Sequence, residues 1–222
     1  MPTLAIIGAG PNLGAAVARR FGREGFAVAL ISRDQEKLDA IAADLSREGI
    51  EARGYAADVL QPAQLVGALE MAAAELGPIT ALQYSPLPFR SFLNPVLDLT
   101  PELATQAFQF SALGLIHAAR TVLPAMREAG EGSIILINGG TSVKARHGFS
   151  GTSVAFPAES AYGEMLHDAL GVEGIGVHQL VIPGAIPKLR YTIDEVADKI
   201  WEIHIGGGDF RTMLIPLDEG RE

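Results

Sequence analysis

Cysteine is absent from the 222 residues of this chain. That excludes a disulfide framework, a thiolate nucleophile and a thiolate metal site. Basic runs are equally scarce. The longest is Arg19-Arg20, in a chain of net charge −9. Nucleic acid is therefore not expected as a partner, because neutralising a phosphate backbone needs a cationic stripe. No uninterrupted apolar segment approaches the ~18 residues that a membrane helix needs. The opening Met1-Pro2-Thr3-Leu4-Ala5-Ile6-Ile7 runs into a glycine turn before it could form a signal peptide. We therefore expect a cytoplasmic protein without membrane attachment. His117, His167, His178 and His204 show no i, i+4 pairing with a carboxylate partner, so no metal site is expected. Gly148-Phe149-Ser150-Gly151 lacks the spacing of a nucleophile elbow.

Apolar residues, by contrast, make up 48% of the chain, enough for a large core. Aromatics are few, at 6%, while alanine and glycine are abundant, which suits helices packed closely on a sheet. Strand and helix patterns alternate. Strands are expected at Leu4–Ile7, Phe26–Ile31, Glu51–Ala57, Ile79–Tyr84, Ser133–Ile137, Gly176–Ile182 and, shortest, Met213–Ile215. Helices are expected at about Asn12–Glu24, Asp34–Glu48, Gln61–Leu76, Pro101–Ala129, Ala158–Leu170 and Thr192–His204. An irregular stretch from Gly139 to Thr152 separates two of these elements. Several strands are continuously apolar, as strands buried on both faces are. The pattern predicts an α/β protein with a doubly wound parallel sheet, a Rossmann-type three-layer α/β/α arrangement. With no repeat and no linker, residues 1–222 are expected to form one domain.

Between the first strand and first helix lies Gly8-Ala9-Gly10-Pro11-Asn12-Leu13-Gly14. Glycines in such a turn allow close backbone approach to a pyrophosphate, and the helix N-terminus adds free N–H groups and a positive dipole end. The common G-x-G-x-x-G spacing is not met, since Leu13 fills its last position. A tight turn without a ligand is the alternative. After the second strand, Ser32 stands where an NAD-selective fold usually carries a carboxylate, and Arg33 follows. A guanidinium there pairs with a 2′-phosphate through parallel hydrogen bonds, which favours NADP over NAD. Alternatively, Arg33 is a solvated residue and Asp34 caps the next helix.

Taken in order, these motifs resemble the short-chain dehydrogenase/reductase family over nearly the whole length. Gly8 and Gly14 match its glycine turn, with Asn12 replacing the middle glycine. Ala57-Asp58-Val59 resembles its Asp-Val element near the adenine. Gly132-Ser133-Ile134-Ile135 matches the entry to its fifth strand. Val181-Ile182-Pro183-Gly184-Ala185-Ile186 resembles its Pro-Gly element beside the nicotinamide. The resemblance implies a cofactor site formed by Gly8, Gly10, Asn12, Leu13, Gly14, Ser32, Arg33, Asp58, Val59, Pro183, Gly184 and Ile186. It also implies hydride exchange between NADP(H) and a carbonyl or hydroxyl substrate.

The family's proton chemistry has no counterpart. A tyrosine exchanges the proton, a lysine four residues later lowers its pKa, a serine orients the substrate oxygen, and an asparagine on the long helix assists. The corresponding positions here carry Phe156, Ser160, Gly139 and Ser111. No register restores the pair, because Val59, Pro88, Leu166 and Glu195 stand four residues beyond the four tyrosines. The Asn-Asn-Ala-Gly element after the fourth strand reads Gln83-Tyr84-Ser85-Pro86. His147 and Tyr162 are the candidate replacement acids. Thr141 and Ser142 are candidates to hold a substrate oxygen, and Lys188 follows the Pro-Gly element. Three functions follow: an oxidoreductase with an atypical active site, a non-catalytic NADP(H)-binding sensor or partner subunit, and a structural subunit without cofactor. Phe108, Leu113, Leu115, Met165 and Leu166 lie on helices through which the family associates, which implies a homodimer or homotetramer.

Overall fold

The structure is a computed structural model, and it describes residues 1–217. Seven parallel strands form one sheet in the order β3-β2-β1-β4-β5-β6-β7. They are β1 Thr3–Ile7, β2 Ala27–Ser32, β3 Ala52–Ala56, β4 Ile79–Tyr84, β5 Gly132–Gly139, β6 Ile175–Ile182 and β7 Arg211–Met213. Helices α1 Leu13–Gly22, α2 Gln35–Arg47 and α7 Ile193–Gly206 cover one face. Helices α3 Pro62–Leu76, α5 Gly114–Ala129 and α6 Ser150–Leu170 cover the other, with α4 Pro101–Phe108 leading into α5. This is the Rossmann-type α/β arrangement expected from the alternation of elements.

The pleat explains the continuous hydrophobicity of the strands. In β1, Leu4 and Ile6 pack towards α1 and α7, while Ala5 and Ile7 pack towards α3 and α5. All are fully or nearly fully buried, so no position is left for a polar residue. The strand order reverses between β1 and β4. There Ile7 sits beside both Ile31 and Tyr84, and the chain leaves β1 into Gly8. A crevice opens outside the carboxyl ends of the strands at such a switch point.

Local chemistry sets the helix ends. Asp34 accepts a hydrogen bond from the Lys37 N–H at the start of α2. Thr192 and Glu195 form a reciprocal capping box at α7. Pro62 opens α3, where its missing N–H costs little.

Two long helices depart from the sequence expectation. The run from Pro101 to Ala129 is helical, but Gln109–Leu113 winds as a π-helix between α4 and α5. The wider turn releases the Phe110 carbonyl, which accepts a hydrogen bond from the Tyr84 hydroxyl. Tyr84 reaches that carbonyl only because residue 114 is glycine. A Cβ on Gly114 would stand 2.1 Å from the hydroxyl oxygen. Helix α6 begins at Ser150, not near Ala158, and carries Pro157 inside it. Its start is anchored from outside: Ser150 donates through its N–H to the Asn94 carbonyl at 3.0 Å and through its hydroxyl to Asn94 Oδ1 at 2.7 Å. The last strand ends at Met213, two residues before the expected end.

Candidate active site

One cleft of about 1320 Å³ runs along the carboxyl ends of β1, β2, β4, β5 and β6. All twelve residues expected at a cofactor site line it, from Gly8 through Arg33 and Asp58 to Ile186. Its floor at one end is the glycine turn. Gly8 has φ +90°, and a Cβ there would lie 2.5 Å from the Ser85 carbonyl oxygen, so only glycine fits. Gly10 is the opposite case: a Cβ would meet nothing within 4 Å, so this backbone faces open space. Asn12 precedes α1 without making a side-chain cap, and no acid occupies the first turn. Ala15 N–H donates to the Gly10 carbonyl at 3.0 Å, which leaves the Leu13 and Gly14 N–H groups of the first turn available to an anion in the cleft.

Further along this end, the Arg33 guanidinium lies 4.7 Å above the Phe89 ring, a cation–π contact to the loop after β4. Asp34 is committed elsewhere. It caps α2 and meets Lys37 Nζ at 2.6 Å, and that lysine holds its carboxyl below the usual range. The cap expected as one alternative is thus present, yet Arg33 also lines the cleft. Asp58 accepts from the Leu60 N–H at 3.0 Å, which fixes the turn after β3.

The other end is made of side chains. Phe110, Phe149 and Phe156 give it apolar walls, with Asn138, Thr141 and Arg146 as polar members. Phe156 is nearly buried, and its ring carries no hydroxyl. At Gly139 a Cβ would meet only the Ile182 carbonyl, 3.9 Å away, so the place of an orienting hydroxyl is open. Ser142 faces away from this wall and donates to the Gly139 carbonyl at 2.8 Å. Neither candidate acid lies here. His147 is exposed in its loop, while Tyr162 packs half-buried against the core on the α3–α5 side. Neither they nor Lys188 line the cleft.

Behind this end lies a polar network that spacing did not reveal. Glu159 is completely buried between β5 and the π-helix. Its carboxylate accepts from the Ser111 hydroxyl and from Asn138 Nδ2, the latter at 3.2 Å. Asn138 Oδ1 accepts from Gln179 Nε2 at 2.9 Å, and the same amide donates to Ser160 Oγ at 2.5 Å. Arg211 Nε donates to Gln179 Oε1 at 2.7 Å. Burial pushes the Glu159 carboxyl up to about 7, with the Ser111 and Asn138 hydrogen bonds pulling against it. Ser111 and Ser160 are thus tied into one chain that meets the cleft through Asn138. The sequence did carry a signal. Asn138 and Gln179 are polar residues in mainly apolar strands, and a polar residue buried in a strand needs a partner.

Among the described residues, no group of histidine, aspartate or glutamate could hold a metal ion. No helix among them is long and apolar enough to cross a membrane.

Comparison with known proteins agrees with this geometry. Over 171 residues the chain is 30% identical to a 2,3-dihydro-2,3-dihydroxybenzoate dehydrogenase of Bacillus subtilis. The match covers 76% of this chain but only 62% of that relative's length. Among solved structures, an NAD+-bound xylitol dehydrogenase superposes with a TM-score of 0.84 at 20% identity, covering 96% of this chain and 97% of its own. An NADPH-bound short chain oxidoreductase of Pseudomonas aeruginosa PAO1, described as containing an atypical catalytic center, superposes with a TM-score of 0.81 at 19% identity. That match covers 91% of this chain and 89% of the other. These two share the fold, one holding each nicotinamide cofactor. Residues 2–187 match the short chain dehydrogenase family, and the chain belongs to that family of oxidoreductases.

Proposed function

We propose that this protein, as one domain, binds NADP(H) along the cleft and acts as an oxidoreductase on a carbonyl or hydroxyl substrate through an atypical active site. The single observation that carries the proposal is the continuity of the cleft. It joins the anion-accepting glycine turn, the Arg33 guanidinium and the Pro183–Ile186 wall in one space of about 1320 Å³. The chain fits the cofactor at its diphosphate and at its 2′-phosphate. Backbone approach is open at Gly10, and no carboxylate competes with Arg33, since Asp34 is held by Lys37. Bound nicotinamide would supply or accept the hydride. Phe156 and Phe110 would exclude water, and Asn138, fixed between Glu159 and Gln179, would offer a hydrogen bond to a substrate oxygen. Losing the usual acid slows such a reaction by roughly 10²–10⁴-fold without forbidding it.

Calorimetric titration with NADPH and NADH tests the cofactor, and turnover of a carbonyl panel tests the chemistry. We expect NADPH to bind at least about tenfold more tightly than NADH. Failure of NADPH to bind refutes the proposal. Binding without any turnover supports a second function, a non-catalytic NADP(H)-binding sensor or partner subunit. One observation favours that alternative: at the reaction end the cleft is lined by the phenylalanine ring of Phe156 and by no tyrosine, histidine or acid among the described residues. A homodimer or homotetramer is proposed from Phe108 and Met165, which are exposed on α4 and α6, whereas Leu115 belongs to the core.

A further inference from the structure

The charges of this chain are sorted by position. The segments that follow the carboxyl ends of the strands, residues 8–12, 33–34, 57–61, 85–100, 140–149 and 183–192, hold six Lys or Arg against three Asp. The rest of the chain is strongly acidic. Those six cations are Arg33, Arg90, Lys144, Arg146, Lys188 and Arg190, and none forms an ion pair among the described residues. The reaction end is more lopsided still. Segments 85–100, 140–149 and 183–192 hold five of the cations against Asp98 alone. The next carboxylates, Asp194 and Glu195, belong to α7, where Glu195 is committed to Thr192.

Of these five, Arg146 lines the cleft itself. Its backbone is pinned at the start of α6. The Arg146 N–H donates to Ser153 Oγ at 3.0 Å, and its carbonyl accepts from that hydroxyl at 3.2 Å and from the Phe149 N–H at 3.0 Å. Arg146 is partly buried, and the wall of the same cleft includes Phe149 and Phe156. A cation partly removed from water and left without a counter-charge is unfavourable until an anion meets it. The surrounding loop cations focus a positive field on the same mouth.

We infer that the substrate carries an oxyanion, a carboxylate or a phosphate, on an apolar body of about aromatic size, and that Arg146 is its partner. This rests on the cleft being the nicotinamide and substrate site proposed above. The guanidinium offers two parallel N–H donors to either group, while the phenylalanine walls receive the body.

The test uses the whole chain saturated with NADPH, titrated calorimetrically with benzoate, phenyl phosphate and the neutral benzamide. At least one anion should bind roughly 10- to 100-fold more tightly than benzamide. The stronger of the two identifies the oxyanion. Arg146→Met should erase that preference, Arg146→Lys should restore part of it, and Lys199→Met, on the far side of α7, should leave it intact. NADPH affinity should be the same in all three variants. Equal binding of benzamide, or no binding of any probe at millimolar concentration, overturns the inference. So does a loss of NADPH affinity in Arg146→Met, which would assign the guanidinium to the cofactor. If NADPH fails to bind the unaltered protein, the cofactor proposal falls instead. The same three titrations on the cofactor-free chain then decide the oxyanion site by the same criteria.

Discussion

The two ends of the cleft are built in different currencies. At the glycine end the shape is set by backbone: a positive φ, a missing Cβ and uncapped N–H groups. At the reaction end it is set by side chains from the π-helix, β5, α6, β6 and β7, tied through Glu159 and Gln179. A backbone site tolerates almost no substitution where atoms touch and nearly any where they do not. A side-chain network can be rewired member by member while its overall satisfaction is kept. The difference accounts for a glycine turn that resembles the family's beside a reaction end whose resemblance to it is weaker.

The largest expected effect lies at the glycine end. Gly8→Ala should lose about 3 kcal/mol or more of stability in urea unfolding, from the strained φ and the contact with Ser85. Gly10→Ala should stay within about 0.5 kcal/mol, because its Cβ enters open space, yet it should weaken NADPH binding. Equal losses at both positions would break the distinction between touching and open backbone.

Glu159→Gln tests the other end. The folded carboxyl titrates at about 7, above the ordinary 4.5, so between those values the folded chain keeps a proton that the unfolded chain releases. Its stabilising contribution is full below pH 4.5, falls as pH rises and levels off above about 7. The fall should be on the order of 3 kcal/mol. His178 and His204, whose imidazoles burial holds below their usual range, act in the opposite direction as pH drops. They remain in the variant, so the difference between the two unfolding profiles isolates Glu159. A difference independent of pH would mean that the carboxyl is not shifted.

Smaller effects sharpen the contrast. Arg33→Ala should weaken NADPH by roughly tenfold to a hundredfold and leave NADH nearly unchanged. A parallel loss for both cofactors would show that the residue serves the adenine or the fold, through its contact with Phe89. Phe156→Tyr should change turnover by less than about tenfold, because no ammonium stands nearby to activate the phenol. Ser160, where the resemblance would place that lysine, is buried against Gln179. A rise approaching a thousandfold would show that the reaction end needs only the missing hydroxyl.

The parts legible in the sequence are those fixed by local pattern. Seven strands and their order along the chain followed from apolar runs and turn residues, with ends shifted by a residue or two. The positions proposed for the cofactor come from the glycine turn and the Pro-Gly element, and they line one cleft. The α6 start was displaced because its anchor, Asn94, lies in a different loop and leaves no mark near Ser150. The π-turn at Gln109–Leu113 was equally hidden, since its compensating donor is Tyr84, on another strand. Glu159 leaves no local mark in the sequence because its partners stand 48 and 21 residues away. His147 and Tyr162 have the chemistry of an acid, but neither lines the cleft.

The fit of Tyr84 into the space beside Gly114 also dictates an order of change over evolutionary time. A methyl group at 114 collides with the phenol oxygen, so a lineage reaching alanine there must first shed that oxygen, passing through phenylalanine at 84. That first step strands the Phe110 carbonyl. Two positions thirty residues apart are therefore locked in sequence of mutation.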